Sequence, residues 1–401
     1  MMRLLNILLL SVLGFFLGLT PLHQVLAESS DQPNLHRGVN LACWLANAPR
    51  QTFYARDFNT IKQAGFDFVR LPVNPEFFGF SLHGEEGQTD TMNFHSVDQA
   101  ILNITQSGLA VVLDIHPGSG FMKTLESDNT AEDKFVELWS ALAKRYSDKK
   151  IYPNNMLAFE ILNEPQYYEN AARYNALVAK LTRKIRTIDP TRLVIVEAPA
   201  PGKTPVESLN LLMPINDPNV AYDVHYYRPY IITHQGIHMG FEKEQVKFIN
   251  NLPYPSKLAD ADHITLTAEG NPVKAKAEVQ AYIADNWSRD RMVADLAPAA
   301  EWAKRNDARL LILEYGAVRN HIDPASRYRW IADAAAAMNS LNLGWSLWDY
   351  ADLMGIVSMI GEVSKPDPVD GSVRFVHPET GAREIEPAAI KALGLKTPSS
   401  Q

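Results

Sequence analysis

Short apolar runs alternate with longer amphipathic stretches along the 401-residue chain. Eight runs stand out, at 36–44, 66–74, 109–117, 156–165, 193–200, 220–229, 309–317 and 343–351. Most are apolar almost without interruption until their last residues, the pattern of parallel strands buried on both faces. Between them, 56–64, 96–107, 132–148, 169–188, 289–305 and 326–341 show helical spacing, several closing on Gly, Asp or Asn. The fifth helix is the weak one: 206–212 is short and is followed by Pro214. Eight alternating strand–helix units predict an α/β fold, a closed (β/α)8 TIM barrel in one domain over 36–396.

Two connections exceed the usual length. Residues 230–286 follow the sixth run, with a short helical stretch at 242–250 and a polar, Pro-containing stretch at 253–272. On a barrel this is an elaborated loop on the face where strands end, one wall of a cleft. Residues 352–384 are expected to form a small hairpin before a last helix near 386–393. The first 27 residues read as a cleavable secretory leader: Arg3, an apolar stretch over 4–19, and Val25-Leu26-Ala27 as a small-residue cleavage site. The apolar stretch is short for a membrane span. The expectation is a secreted or periplasmic protein with no stable membrane insertion after cleavage. Residues 28–35 are polar and expected to be flexible.

The formal net charge of −8, without a basic stripe, argues against nucleic acid as a partner. Cys43 is the single cysteine; it can form no internal disulfide, so stability must come from the core.

Barrel enzymes work at the C-terminal ends of their strands. The second run ends Val-Arg70-Leu-Pro, the third Asp114-Ile-His116-Pro, the fourth Leu-Asn163-Glu164-Pro165, the sixth His225-Tyr226-Tyr227, the seventh Leu-Glu314-Tyr315-Gly316 and the eighth Trp348-Asp349-Tyr350. Ionisable and aromatic groups therefore gather at one rim, above apolar strand bodies. Alternation puts Glu160, Leu162 and Glu164 on one face. Glu160 then lies inside the barrel below Glu164, where a carboxylate needs a partner, and Arg70 is one candidate. Two carboxyls on facing strands can cleave a glycosidic bond if one is protonated and the other ionised. Arg70 close to Glu314 would hold that carboxylate charged, and Tyr227 could donate to it.

These motifs resemble glycoside hydrolase family 5, the cellulase family within clan A of the retaining glycosidases. The resemblance rests on Arg70, His116, Asn163-Glu164-Pro165, His225, Tyr227, Glu314 and Trp348, in the family's order at strand ends from residue 37 to about 350. It implies that Glu164 is the acid/base and Glu314 the nucleophile. Asn163 would bind the sugar 2-hydroxyl, Arg70 and Tyr227 would orient Glu314, and His225 would support the acid/base side. His116 would contact the same sugar and Trp348 would be its floor. It implies no metal and no organic cofactor; Asp114 and His116 read as a barrel-mouth pair.

The aromatic platforms beyond the cleavage site are not fixed by motif. Trp44, Phe77, Phe78, Tyr230 and Tyr350 are candidates by position. The expected function is a secreted, retaining endo-β-1,4-glucanase acting on β-linked oligo- or polysaccharide. A β-mannanase, a β-1,3-glucanase and an exopolysaccharide-processing glycosidase stay open. A non-catalytic glycan-binding barrel would lack one carboxylate. A phosphate-binding barrel would show a Gly-rich turn after the seventh or eighth strand.

Overall fold

The eight apolar runs become eight parallel strands. They are β1 (Arg37–Asn40), β2 (Phe68–Val73), β3 (Ala110–Ile115), β4 (Leu157–Glu160), β5 (Val194–Glu197), β6 (Val220–Asp223), β7 (Arg309–Tyr315) and β8 (Gly344–Leu347). Each pairs with its neighbour in chain order, and β8 closes on β1. This computed structural model describes residues 31–46, 51–85, 87–237, 245–359, 365–366, 373–374 and 383–398. The expected leader at 1–27 lies outside them. No helix among the described residues is long and apolar enough to cross a membrane.

The outer ring is α1 (Ala55–Ala64), α2 (His95–Gln106), α3 (Asn129–Arg145), α4 (Ala171–Arg186), α5 (Pro205–Leu209), α6 (Arg289–Arg305) and α7 (Pro324–Ser340). Side chains accept from free N–H groups at several of their starts: Asp128 before α3, Asn170 before α4 and Asp323 before α7. The weak fifth helix is indeed a short one, opened by Pro205 and a Thr204–Glu207 capping box. A last helix, α8, covers Pro387–Leu393. Before it, Val357–Met359 pairs antiparallel with Arg383–Ile385, in line with the expected hairpin.

Several expectations change in detail. β1 ends at Asn40, and Ala42–Leu45 curls into one helical turn that holds Cys43 buried. Over 242–250, the described part is a 3-10 turn at Val246–Phe248 and a strand at Ile249–Asn250 paired with Thr265–Leu266, not a helix. The helix at Pro272–Ala284 has no counterpart in the sequence reading. It buries only the narrow stripe Ala275, Val279 and Tyr282, so its apolar period is faint. Residues 31–35 do not hang free: Pro33 and Leu35 are buried, and Asp31 Oδ2 accepts from Asn154 Nδ2 at 3.0 Å.

Alternation splits the barrel interior into two layers. The lower is apolar: Leu35, Phe68, Ala110, Val112, Ala158, Ile195, Ala221 and Leu311 pack as one cluster. Gly38 belongs here because a Cβ on it would sit 2.3 Å from the Phe68 ring. One pleat higher come Asn40, Arg70, Asp114, Glu160, Glu197, Asp223 and Ser346, all buried. The register seats Asn40 beside Arg70, Asp114 beside Glu160, and Glu197 beside Asp223.

At the opposite end, Arg192 ties the foot of β5 to its surroundings. Its buried guanidinium donates to the carbonyls of Tyr146, Tyr152, Pro153 and Leu157 at 2.8–3.1 Å, and to Asp189 at 3.1 Å. Arg192→Ala would remove all five donations at once, leaving Asp189 to Lys149 and the Pro153 carbonyl to the Met156 N–H. It is expected to lower unfolding stability by about 3–5 kcal/mol, read as a lower urea midpoint at unchanged slope.

Candidate active site

The polar layer is organised around Arg70. Its Nε and Nη2 donate to the two oxygens of Glu160 at 2.7 and 2.6 Å. Nη1 donates to Glu314 Oε1 at 2.7 Å and to Asn40 Oδ1 at 3.1 Å. Nη2 also reaches Asn163 Oδ1 at 2.9 Å and lies 3.1 Å from Asp114. Glu160 thus finds the partner its place in the barrel required.

Most residues at the rim lie just past the paired strands, Glu314 being the exception. β4 ends at Glu160, and Glu164 follows with φ +42, a left-handed turn that stops the extended run. Its backbone N–H donates to Glu197 Oε2 at 2.6 Å, while its carboxyl is 36% exposed to the cleft. Glu314, on β7, is almost closed off and accepts from Tyr227 Oη at 2.8 Å as well as from Arg70. His225 stands between the two: Nδ1 is 3.0 Å from Glu164 Oε1 and 3.3 Å from Glu314 Oε2. A carboxylate oxygen of each glutamate and that ring nitrogen lie within 4.8 Å of one another.

His116 pairs through Nδ1 with Asp114 Oδ2 at 2.9 Å and lies nearly parallel to Trp348, ring centroids 5.6 Å apart at 16°. Gly316 lets β8 approach β7 closely enough to set Trp348, since a Cβ there would meet the Trp348 carbonyl oxygen at 2.0 Å. Arg70, His116, Asn163, Glu164, His225, Tyr227, Glu314 and Trp348 therefore converge on one end of the barrel. Trp345, one residue out of phase, is buried with its Nε1 on Asn339. Among the platform candidates, Phe78 and Tyr350 are fully buried core residues. Trp44 is half-buried against Phe53 and Phe58, and Tyr230 stacks on His234 at 3.8 Å.

Sequence reading passed over Glu197, Asp223 and Asn40. The signal was available: each is a polar residue closing an otherwise apolar strand, as in Val-Ile-Val-Glu197 and Val-Ala-Tyr-Asp223. Carboxyls outnumber cations in this layer, and burial pushes Asp114 and Glu160 up to about 7 against the pull of Arg70. Burial also raises Glu314, opposed by His225 and Arg70. Burial pushes Glu164 the same way, but the hydrogen bond and charge of His225 outweigh it and hold Glu164 below the ordinary value. Burial lowers His116 to about 4, so it is neutral at pH 7. Glu160, Glu197, Asp223 and His225 are close enough to share a cation, but both Glu160 oxygens are already taken by Arg70.

A closed barrel with two carboxyls this close at its mouth, one clamped by Arg and Tyr and the other open to a cleft, defines a glycoside hydrolase. The sequence model of the cellulase family, glycosyl hydrolase family 5, matches residues 28–352, and the chain belongs to that family. Endoglucanase C of Acetivibrio thermocellus is 26% identical over 333 residues, covering 78% of this chain and 90% of that one. Cel5A of Thermotoga maritima in complex with cellobiose superposes with a TM-score of 0.65 at 23% identity, covering 90% and 97% of the two chains. The cellulose synthase subunit Z of Clostridioides difficile gives 0.65 at 21%, covering 90% and 99%.

Gly316→Ala is expected to displace Trp348 while the barrel still folds. Affinity for a β-linked oligosaccharide should fall roughly tenfold or more by calorimetry, with an unchanged far-ultraviolet dichroism spectrum. Unaltered affinity would sever the link between Gly316 and the Trp348 wall.

Proposed function

We propose that the chain is a retaining endo-β-1,4-glucanase, with Glu314 as nucleophile and Glu164 as acid/base. The observation that carries this reading is the short gap, with oxygens of the two carboxyls within 4.8 Å. Double displacement uses carboxyls about 5–5.5 Å apart; inversion needs about 6.5–9.5 Å to seat a water between base and sugar.

Glu314 attacks the anomeric carbon as Glu164 gives its proton to the departing glycosidic oxygen, which leaves with the bonding electron pair. A water then gives its proton to Glu164 and its hydroxyl to the anomeric carbon, and Glu314 departs as carboxylate. The donors on Glu314 from Arg70 and Tyr227 favour its ionised form. In the empty cleft His225 holds Glu164 low. A sugar lying over Glu164 strips water from its exposed oxygen and raises it, while the two donors stay on Glu314. Asn163 Oδ1 accepts from Arg70, which leaves the Asn163 NH2 to donate to a sugar hydroxyl. Trp348, backed by His116, offers a flat face for the sugar ring. The glucan assignment draws on Endoglucanase C, similar over most of both chains. The same reading takes residues 1–27 as a leader removed on export.

Reducing-end release from soluble β-glucans, mature protein against Glu314→Ala, tests the proposal. Activity on carboxymethyl cellulose or mixed-linkage glucan, lost roughly 10⁴-fold or more in the variant, is the expected result. Activity confined to mannan or a bacterial exopolysaccharide would replace the sugar; turnover surviving in Glu314→Ala would remove the nucleophile. Tyr227→Phe takes one donor from the ionised form of Glu314, so that carboxyl should titrate higher. The acid limb of kcat/KM should then move to higher pH, and its plateau fall about tenfold or more. An unmoved acid limb would show that Tyr227 does not hold the charge of Glu314.

A further inference from the structure

Behind the two glutamates lies a second pair of carboxyls, Glu197 on β5 and Asp223 on β6, both buried and facing the inner edge of His225. His225 Nε2 is 3.4 Å from Asp223 Oδ2 and 3.6 Å from Glu197 Oε1. Asp223 uses one oxygen to tie the strands, its Oδ1 accepting the Leu313 N–H at 2.7 Å. Glu197 differs: its Oε2 accepts the backbone N–H of Glu164 at 2.6 Å. That N–H belongs to the residue in the left-handed turn, between the backbone bonds of Asn163 to Ile115 and of Ala200 to Pro165. We propose that Glu197 is the positioning residue for the acid/base, fixing the Glu164 backbone with one oxygen while the other lies against the inner edge of His225. The proposal rests on the reading of Glu164 as the acid.

The two contacts act on the same carboxyl by different routes. Through the N–H, Glu197 sets where the Glu164 side chain begins. Through the imidazole, it sets the angle at which Nδ1 meets Glu164 Oε1, and so leaves the other Glu164 oxygen free for the glycosidic oxygen. Burial pushes Glu197 well above the usual carboxylate range, with His225 opposing and the charges of Asp223, Glu164 and Glu160 adding to it. Glu197 Oε2 accepts from the Glu164 N–H, and its Oε1 faces Nε2 beside Asp223 Oδ2. A glutamine keeps a carbonyl oxygen to accept the Glu164 N–H. An alanine does not.

The test compares kcat/KM on β-glucan, whose leaving group needs a proton, with kcat/KM on dinitrophenyl β-cellobioside, whose leaving group does not. Glu197→Ala is expected to lose roughly 100-fold on glucan and less than about threefold on the aryl substrate. Glu197→Gln should recover at least about tenfold of the glucan loss. An equal loss on both substrates would mean that Glu197 merely holds the fold, and would overturn the proposal, as would no loss on either. Failure of Glu197→Gln to recover activity would overturn the proposal that an acceptor for the Glu164 N–H positions the acid. Glu164→Gln run alongside separates the two readings. If it shows the leaving-group dependence and Glu197→Ala does not, the Glu197 role alone falls. If Glu164→Gln loses both substrates equally, the acid assignment falls and takes the Glu197 role with it.

Discussion

The charge of Arg70, buried in the middle of the barrel, is what the rest of the site depends on. A guanidinium without water is costly unless every donor is used. Here Asn40, Asp114, Glu160, Asn163 and Glu314 together surround it. These five come from four strands, Glu160 and Asn163 both from β4 and its end. The cation therefore fixes the heights of β1, β3, β4 and β7 against β2, and in the same act holds Glu314 in place with its charge satisfied. Structure and chemistry share one counterion, so a change at Arg70 cannot be confined to either.

The remainder of the layer is acidic in excess, and protons make up the difference. Asp114 and Glu160 titrate near 7 and Glu197 is raised well above the usual carboxylate range, each because burial disfavours a further negative charge. This leaves His225 between the pair proposed to react, Glu164 and Glu314, and a second buried pair, Glu197 and Asp223. The titration of Glu164 then depends on the charges behind it as well as on its own surroundings.

The barrel was legible in the sequence because parallel strands buried on both faces leave an apolar signature that turns do not imitate. All eight runs became strands, although the paired portions are shorter than the runs. The chemistry lies in the difference: Asn163, Glu164, His225 and Tyr227 sit on irregular backbone beyond β4 and β6, where the sequence showed extended strand. The helix at 272–284 stayed hidden because three buried positions make too thin a stripe to stand out from a polar loop. Phe78 and Tyr350 looked like cleft aromatics and proved to be core, since an aromatic at a strand end reads alike in both settings.

By itself, the sequence determined the fold class, the end of the barrel that would be polar, and which residue types would meet there. Those follow from period and position along single strands, which are local properties. Only the tertiary structure decided the approach of Glu164 and Glu314 oxygens to within 4.8 Å, the five partners of Arg70, and the placement of Glu197 under the Glu164 backbone. These depend on the register between strands far apart in sequence, and on backbone that leaves the strand at a left-handed residue. Neither leaves a periodic trace in one chain, because both are fixed by packing across the closed barrel.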